Sequence, residues 1–240
     1  MQILDKGEIK LIDSMASDLS VVKSARVSNG IITETEDQER DQKLINYLMK
    51  HRHGTPFEHS VFTFYIKCPI FVAREWHRHR IGSFNEISGR YVEFKPEFYT
   101  PSKFRVQSKS NKQGGVFPEE AWFRENKAPG DWYSSDVADI WDERNRIEIT
   151  NAFMGQYNTY RTLLQWGVAK EMARIVLPLA TYTEFYWTVN ARSLMNFLSL
   201  RMAEDAQWEI RQYANELASH LEIQMPMTYN AWILNNKLAP

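Results

Sequence analysis

The sequence predicts an α/β protein of the α+β type, in which a small mixed or antiparallel sheet is packed by several helices, one of them long. Two kinds of observation carry this. Ser60 to Cys68 and Thr181 to Asn190 are short runs rich in Phe, Tyr, Val, Ile and Thr, the residues that suit a pleated, half-buried surface. Between and around them lie segments whose apolar residues recur near helical spacing, above all Asp136 to Trp166. The strands are few and not obviously all parallel.

In order, short strands are expected at Gln2 to Leu4 and Glu8 to Ile12, then a helix near Leu19 to Val27. A second helix runs from about Asp37 to Arg52, with acids in its first turn and Lys50, His51 and Arg52 at its end, as the helix dipole prefers. Gly54-Thr55-Pro56 breaks it. Pro69 is placed to open a helix reaching about Arg80, since proline tolerates a first helical turn. Arg90 to Phe94 reads as a strand leaving the loop that follows. Residues 101–135 are polar and rich in Lys, Ser, Gln, Gly and Pro, an irregular insertion too long for a plain connection. The helix from Asp136 to Trp166, bent near Gly155, is expected to cross the core or a subunit interface. A short helix from Lys170 stops at Pro178, Ala191 to Met202 is helical, and so are Asp205 to Gln224 and a last segment to about Asn236.

A chain of 240 residues with no evident linker predicts one domain, residues 1–240. The formal charge of −1 leaves nothing global to draw nucleic acid or an anionic membrane, so any anion site must be local. The single cysteine, Cys68, lies in an apolar run and excludes both an internal disulfide and a cysteine-based metal cage. No apolar run approaches the roughly 20 residues that span a bilayer, and the start lacks a basic, then apolar leader pattern. A cytoplasmic protein is expected.

Chemistry concentrates in Arg78 to Arg90, RHRIGSFNEISGR. Arginine presents a planar fork matched to phosphate oxygens, serine and main-chain N–H groups add neutral donors, and Asn and Glu read a ring edge or hold the arginines. This mixture suits a phosphorylated, ring-bearing ligand. A second constellation joins Arg174, set in an apolar sequence, to Asn190, Arg192, Asn196 and Arg201, the first three at a helix start where free N–H groups favour an anion. Ion pairs to Glu171, Glu184 or Glu204 are the plainer alternative for these arginines. Five histidines, His51, His53, His59, His77 and His79, fall close together, but their spacing by two turns neighbours to different helix faces and no metal-ligand framework accompanies them, so no metal is expected. Ser88 could be a nucleophile only with a base in reach; a phosphate contact asks for less.

RHRIGSFNEISGR fits the signature RHRxxSxNExSxR of the flavin-dependent thymidylate synthases, and His53 to His59, Ala173 to Pro178 and Thr188 to Arg201 resemble that family in order and spacing. The resemblance implies a homotetramer with active sites at subunit interfaces, each holding FAD. It implies reductive methylation of dUMP to dTMP, with carbon from 5,10-methylenetetrahydrofolate and electrons from NADPH. Carried over by motif, His53, Thr55, Arg78, His79, Arg80, Glu86, Asn190, Arg192 and Asn196 would hold FAD. Glu75, Trp76, His77 and Arg78 on one side, and Glu86, Ile87, Ser88, Gly89 and Arg90 on another, would line dUMP with Arg174. Arg201 would be the catalytic residue that favours ionisation of uracil N3. Many members carry Gln where this chain has Glu75, and an ionised Glu can only accept hydrogen bonds. Two further classes compete with this reading: a single-stranded nucleic-acid binding module, and a metal-dependent hydrolase on the His51 to His79 cluster.

Overall fold

The computed structural model describes residues 2–30, 37–110, 112–126 and 136–240. The chain runs β1 (Gln2–Ile3), β2 (Gly7–Ser14), α1 (Asp18–Val27), α2 (Gln38–Lys50), α3 (Thr55–Glu58), β3 (Val61–Pro69), α4 (Ile70–Trp76) and β4 (Ser83–Glu86). It continues through β5 (Val106–Gln107), β6 (Gly115–Val116), α5 (Glu120–Asn126), α6 (Val137–Gln165) and α7 (Lys170–Ala173) with a 3₁₀ turn, Arg174–Val176. Last come β7 (Tyr182–Asn190), α8 (Ala191–Arg201), α9 (Trp208–Gln224) and α10 (Pro226–Leu234).

The main sheet is antiparallel, in the order β1-β2-β3-β7-β4. Along β3 and β7 the side chains alternate as a pleat requires: Phe62, Phe64, Ile66, Phe185, Trp187 and Val189 are buried on one face. The other face carries Thr63, Tyr65, Thr188 and Tyr186, with the Thr63 and Thr188 hydroxyls 3.0 Å apart and the two tyrosine rings 6.2 Å apart. On the buried face, Trp76 of α4 meets Phe197 of α8 at 4.9 Å, Trp187 at 5.3 Å and Tyr213 of α9 at 5.8 Å. Much of the aromatic content is therefore spent in the core, where each ring buries a large apolar area.

Three helix starts are capped by a side chain. Ser17 accepts from the Ser20 N–H, Asp37 from the Arg40 N–H and Asn190 from the Ser193 N–H. The start of α10 has no such residue of its own. Asp18, in the first turn of α1, serves instead, accepting from Met227 N (2.8 Å), Thr228 N (2.9 Å) and the Thr228 hydroxyl (2.6 Å).

Several boundaries differ from the sequence expectation. Helix α4 stops at Trp76 rather than Arg80, because the chain tightens to bonds from Arg78 N to Glu75 O and His79 N to Trp76 O. The loop expected across Ser83–Glu86 contains β4, whose Phe84 ring stacks on Trp187 at 6.1 Å. Arg90 to Phe94 is not a strand: Tyr91 N and Val92 N both turn back to Ser88 O. The Gly54-to-Pro56 break opens α3, and Asp205 to Gln207 precede α9 rather than begin it. The insertion holds the β5–β6 pair and α5, where Phe123 and Val137 form a small second core with Trp122 and Trp141. Only Val137, Asp142 and Tyr160 of α6 are buried, so that helix lies along the surface of the protomer rather than through its core.

Replacing Asp18 with Ala leaves two N–H groups at the start of α10 without an acceptor. A loss of about 1–3 kcal/mol in unfolding free energy is expected, read from the denaturant midpoint at unchanged slope.

Candidate active site

Strands β3 and β7 each run without a loop into the helix that carries the site. β3 passes through Pro69 into α4 and so delivers Glu75 to Arg80; β7 passes through Asn190 into α8 and delivers Arg192, Asn196 and Arg201. The ends of α4 and α8 meet at a cleft of about 480 Å³ lined by Arg78, His79, Arg80, Arg192, Asn196 and Arg201. The Arg78 and Arg80 side chains are exposed and make no ion pair or hydrogen bond among the described residues. Unpartnered guanidinium groups beside a concave surface make an anion site.

At the back of the cleft Arg201 is tightly held. Its Nε donates to His79 Nε2 (3.0 Å), Nη1 to Glu75 Oε2 (3.0 Å) and Nη2 to the Glu75 main-chain oxygen (3.2 Å). Burial, reinforced by the Arg201 charge, lowers the His79 pKa to about 4, so the ring is neutral and can accept that bond. Its edge packs on Phe197 with ring centres 4.7 Å apart. Burial pushes the Glu75 carboxyl up from the ordinary range, Arg201 pulls it back and Glu209 adds a further push upward.

The remaining expected residues form a second group. Glu86 ends β4 with its carboxylate on the Thr183 hydroxyl, and Ile87 N continues the ladder to Glu184 O (2.9 Å). The Ser88 hydroxyl accepts the Arg90 N–H (3.3 Å), and no histidine hydrogen-bonds to it among the described residues. Gly89 is buried where no side chain fits: a Cβ there would come within 2.4 Å of the Phe94 ring and 3.1 Å of Arg174 Cδ. This close approach brings Ser88, Gly89 and Arg174 together, with Arg174 exposed and free of partners among the described residues. Among the described residues the Arg90 side chain makes only a solvent-exposed contact, 3.4 Å, to Glu171. No member of this group lines the cleft of the first.

The chain matches the family described as thymidylate synthase complementing protein over residues 10–227. A flavin-dependent thymidylate synthase of Thermosipho melanesiensis is 49% identical over 98% of this chain and 94% of its own length. One from Thermus thermophilus is 46% identical over 96% of this chain and 77% of its own. This chain belongs to the flavin-dependent thymidylate synthases. A solved structure of the UMP/dUMP methylase PolB from Streptomyces cacaoi, bound with 5-Br dUMP, superposes with a TM-score of 0.82 at 36% identity and full coverage of both chains.

Within this thymidylate synthase family member, some of the expected site residues face away from the cleft. Trp76 is fully buried in the aromatic core, and the His77 ring packs on Phe84 at 4.8 Å and Phe185 at 5.5 Å. Asn190 spends its side-chain oxygen on the α8 cap. His53 and Thr55 are exposed and flank Gly54, whose missing side chain admits Arg192: a Cβ would lie 2.4 Å from Arg192 Nε. Arg192 in turn bonds Glu58 (2.6 Å) and the Pro240 main-chain oxygen (2.9 Å). Glu58 and Pro240 were not singled out from sequence. Glu58 lies within the His53 to His59 stretch that resembles the family, a signal that could have found it; nothing local marks Pro240. The histidines do not assemble into a metal centre: among the described residues no three His, Cys, Asp or Glu side chains are grouped to hold an ion. No described helix is long and apolar enough to cross a membrane.

Because the folded protein holds His79 neutral down to about pH 4 while the unfolded chain protonates it near 6.5, the unfolded state binds more protons between these values. Stability is therefore expected to fall as pH drops from 6.5 towards 4 and then level off. His79→Gln, measured by chemical denaturation across that range, should flatten this component.

Proposed function

We propose that this protein methylates dUMP to dTMP, with FAD as its resident flavin, 5,10-methylenetetrahydrofolate as carbon donor and NADPH as reductant. The observation that carries the reading is the convergence of Arg78, His79, Arg80, Arg192, Asn196 and Arg201 on one cleft. The names of the relatives and the 5-Br dUMP bound by PolB support the same substrate.

The residues present fit a flavin nucleotide. Arg78 and Arg80 offer unpaired forks to a diphosphate, Asn196 adds an amide, and His79 contributes a flat neutral ring at the closed end. Arg192 lines the same cleft, and His53 and Thr55 flank the Gly54 against which it packs. These residues would hold FAD, which, once reduced by NADPH, would supply the electrons that take the transferred carbon to a methyl group. The chain's own part is to hold the pyrimidine and manage its charge. Arg201 faces uracil N3 and O4 and stabilises the negative charge left when the N3 proton departs. A fixed donor at such a point is worth about 3–4 kcal/mol of barrier. Ser88, the N–H groups around Gly89, Arg90 and Arg174 take the 5′-phosphate, with Glu86 beside the ring.

No residue of the second group lines the cleft of the first, and this supports a homotetramer in which each active site takes one group from each of two subunits. The mostly exposed α6, with Ile140, Ile147 and Met154 in solvent, gives such an assembly apolar surface to bury.

The purified protein is expected to be yellow, to bleach with NADPH, and to convert dUMP to dTMP only when methylenetetrahydrofolate is added. Arg201→Lys should lower kcat about 10²–10³-fold while weakening dUMP binding far less, because a point charge replaces the fork. Mixing inactive Arg80→Ala and Arg174→Ala proteins by co-refolding should restore part of the activity. No recovery would sink the shared site.

A further inference from the structure

The geometry points to Glu75 as a positioning residue for Arg201, one that both aims its guanidinium and sets how much of its positive charge the uracil meets. The inference rests on the functional reading above. Arginine has five N–H donors. Three are committed: Nε–H to His79 Nε2, and one from each Nη to Glu75, through Oε2 and the main-chain oxygen. The two that remain, one on each Nη, are the hydrogens available to a ligand. The same residue thus blocks one edge of the fork and leaves one N–H on each arm for the pyrimidine.

The charge follows from the same contact. With Oε2 3.0 Å from Nη1, and the two side chains only 30% and 21% exposed, the carboxylate offsets part of the guanidinium's charge in a poorly solvated place. Glutamine would keep an acceptor for Nη1 and remove that offset. Arg201 also borders an adjoining cleft of about 370 Å³ shared with Glu75, Gln113 and Asp205. Truncating Glu75 would open room on that side into which the fork can swing. The charged groups acting on Glu75 are Arg201 from α8 and Glu209 of α9, itself paired to Arg105, while His79, bonded to the same Arg201, is neutral. Asp205, Arg211 and Lys103 line the clefts around it. Of the charges acting on Glu75, Arg201 outweighs Glu209, and the carboxylate and guanidinium are in direct contact at 3.0 Å.

The test uses the flavin-loaded full chain as wild type, Glu75→Gln and Glu75→Ala. Three quantities are read: flavin content, kcat and KM for dUMP, and the ¹⁹F NMR shift of bound 5-fluoro-dUMP against pH without folate, which reports ionisation at N3. Glu75→Ala should lose about tenfold or more in kcat at full flavin content. Glu75→Gln should keep kcat within about threefold, and the bound probe should ionise about one pH unit lower than in wild type. A Glu75→Ala enzyme with wild-type kcat overturns the inference, as does an unshifted probe titration in Glu75→Gln. Parallel loss of flavin and turnover in both variants overturns it too, since that marks a general structural role. A wild type that methylates dUMP while both variants match it sinks only this inference; a wild type that never methylates dUMP sinks the functional reading and this role together.

Discussion

The pairing of β3 with β7 is the constraint on which the rest depends. Its register runs without a slip from Val61 opposite Asn190 to Pro69 opposite Tyr182, and each strand passes directly into a site-bearing helix at opposite ends of the ladder. A shift of either strand by one residue would turn its own core residues, Phe64 on β3 or Trp187 on β7, to the other face and carry Glu75 and Arg201 away from each other. The aromatic core therefore enforces the position of the polar site. Trp76, one residue after Glu75, is locked between Phe185, Trp187, Phe197 and Tyr213, and Phe197, one helical turn before Arg201, also supports the His79 ring. Rigid packing of this kind is what allows a guanidinium to be aimed rather than merely present.

The electrostatics divide the arginines into two kinds. Arg201 and Arg192 are held by specific acceptors, while Arg78, Arg80 and Arg174 have none among the described residues. Held arginines keep a geometry, and free ones supply charge that a phosphate can claim. The chain's near-zero net charge is compatible with this because the excess is local. His79 belongs with the first kind. As a neutral acceptor it fixes Arg201 without adding a like charge beside it, and its burial is what keeps it neutral.

Glycine marks two places in the candidate site where backbone and arginine come close. At Gly54 the chain yields to Arg192, and at Gly89 to Arg174 and the Phe94 ring. Neither has a positive φ, so close approach and not backbone freedom is the reason for the residue. Both glycines lie within the motifs that resemble the family, yet a motif alone does not tell which neighbour the missing side chain makes room for.

Local pattern carried much of this protein. Runs rich in aromatic and β-branched residues marked β3 and β7, helical spacing marked α2, α6 and α8, and the residue types in Arg78 to Arg90 and Asn190 to Arg201 named the chemistry, because strand composition and helical periodicity depend only on near neighbours along the chain. The tertiary structure decided what lies beyond that range. β4 is too short and polar to declare itself and exists as a strand through the β7 edge some 100 positions later and the Phe84–Trp187 stack. The bonds of Arg201 to Glu75 and His79 span 126 and 122 positions. Such contacts, like the division of the site into two groups and the seating of Arg192 against Pro240, follow from which surfaces meet when the core closes, and no periodicity in the sequence records them.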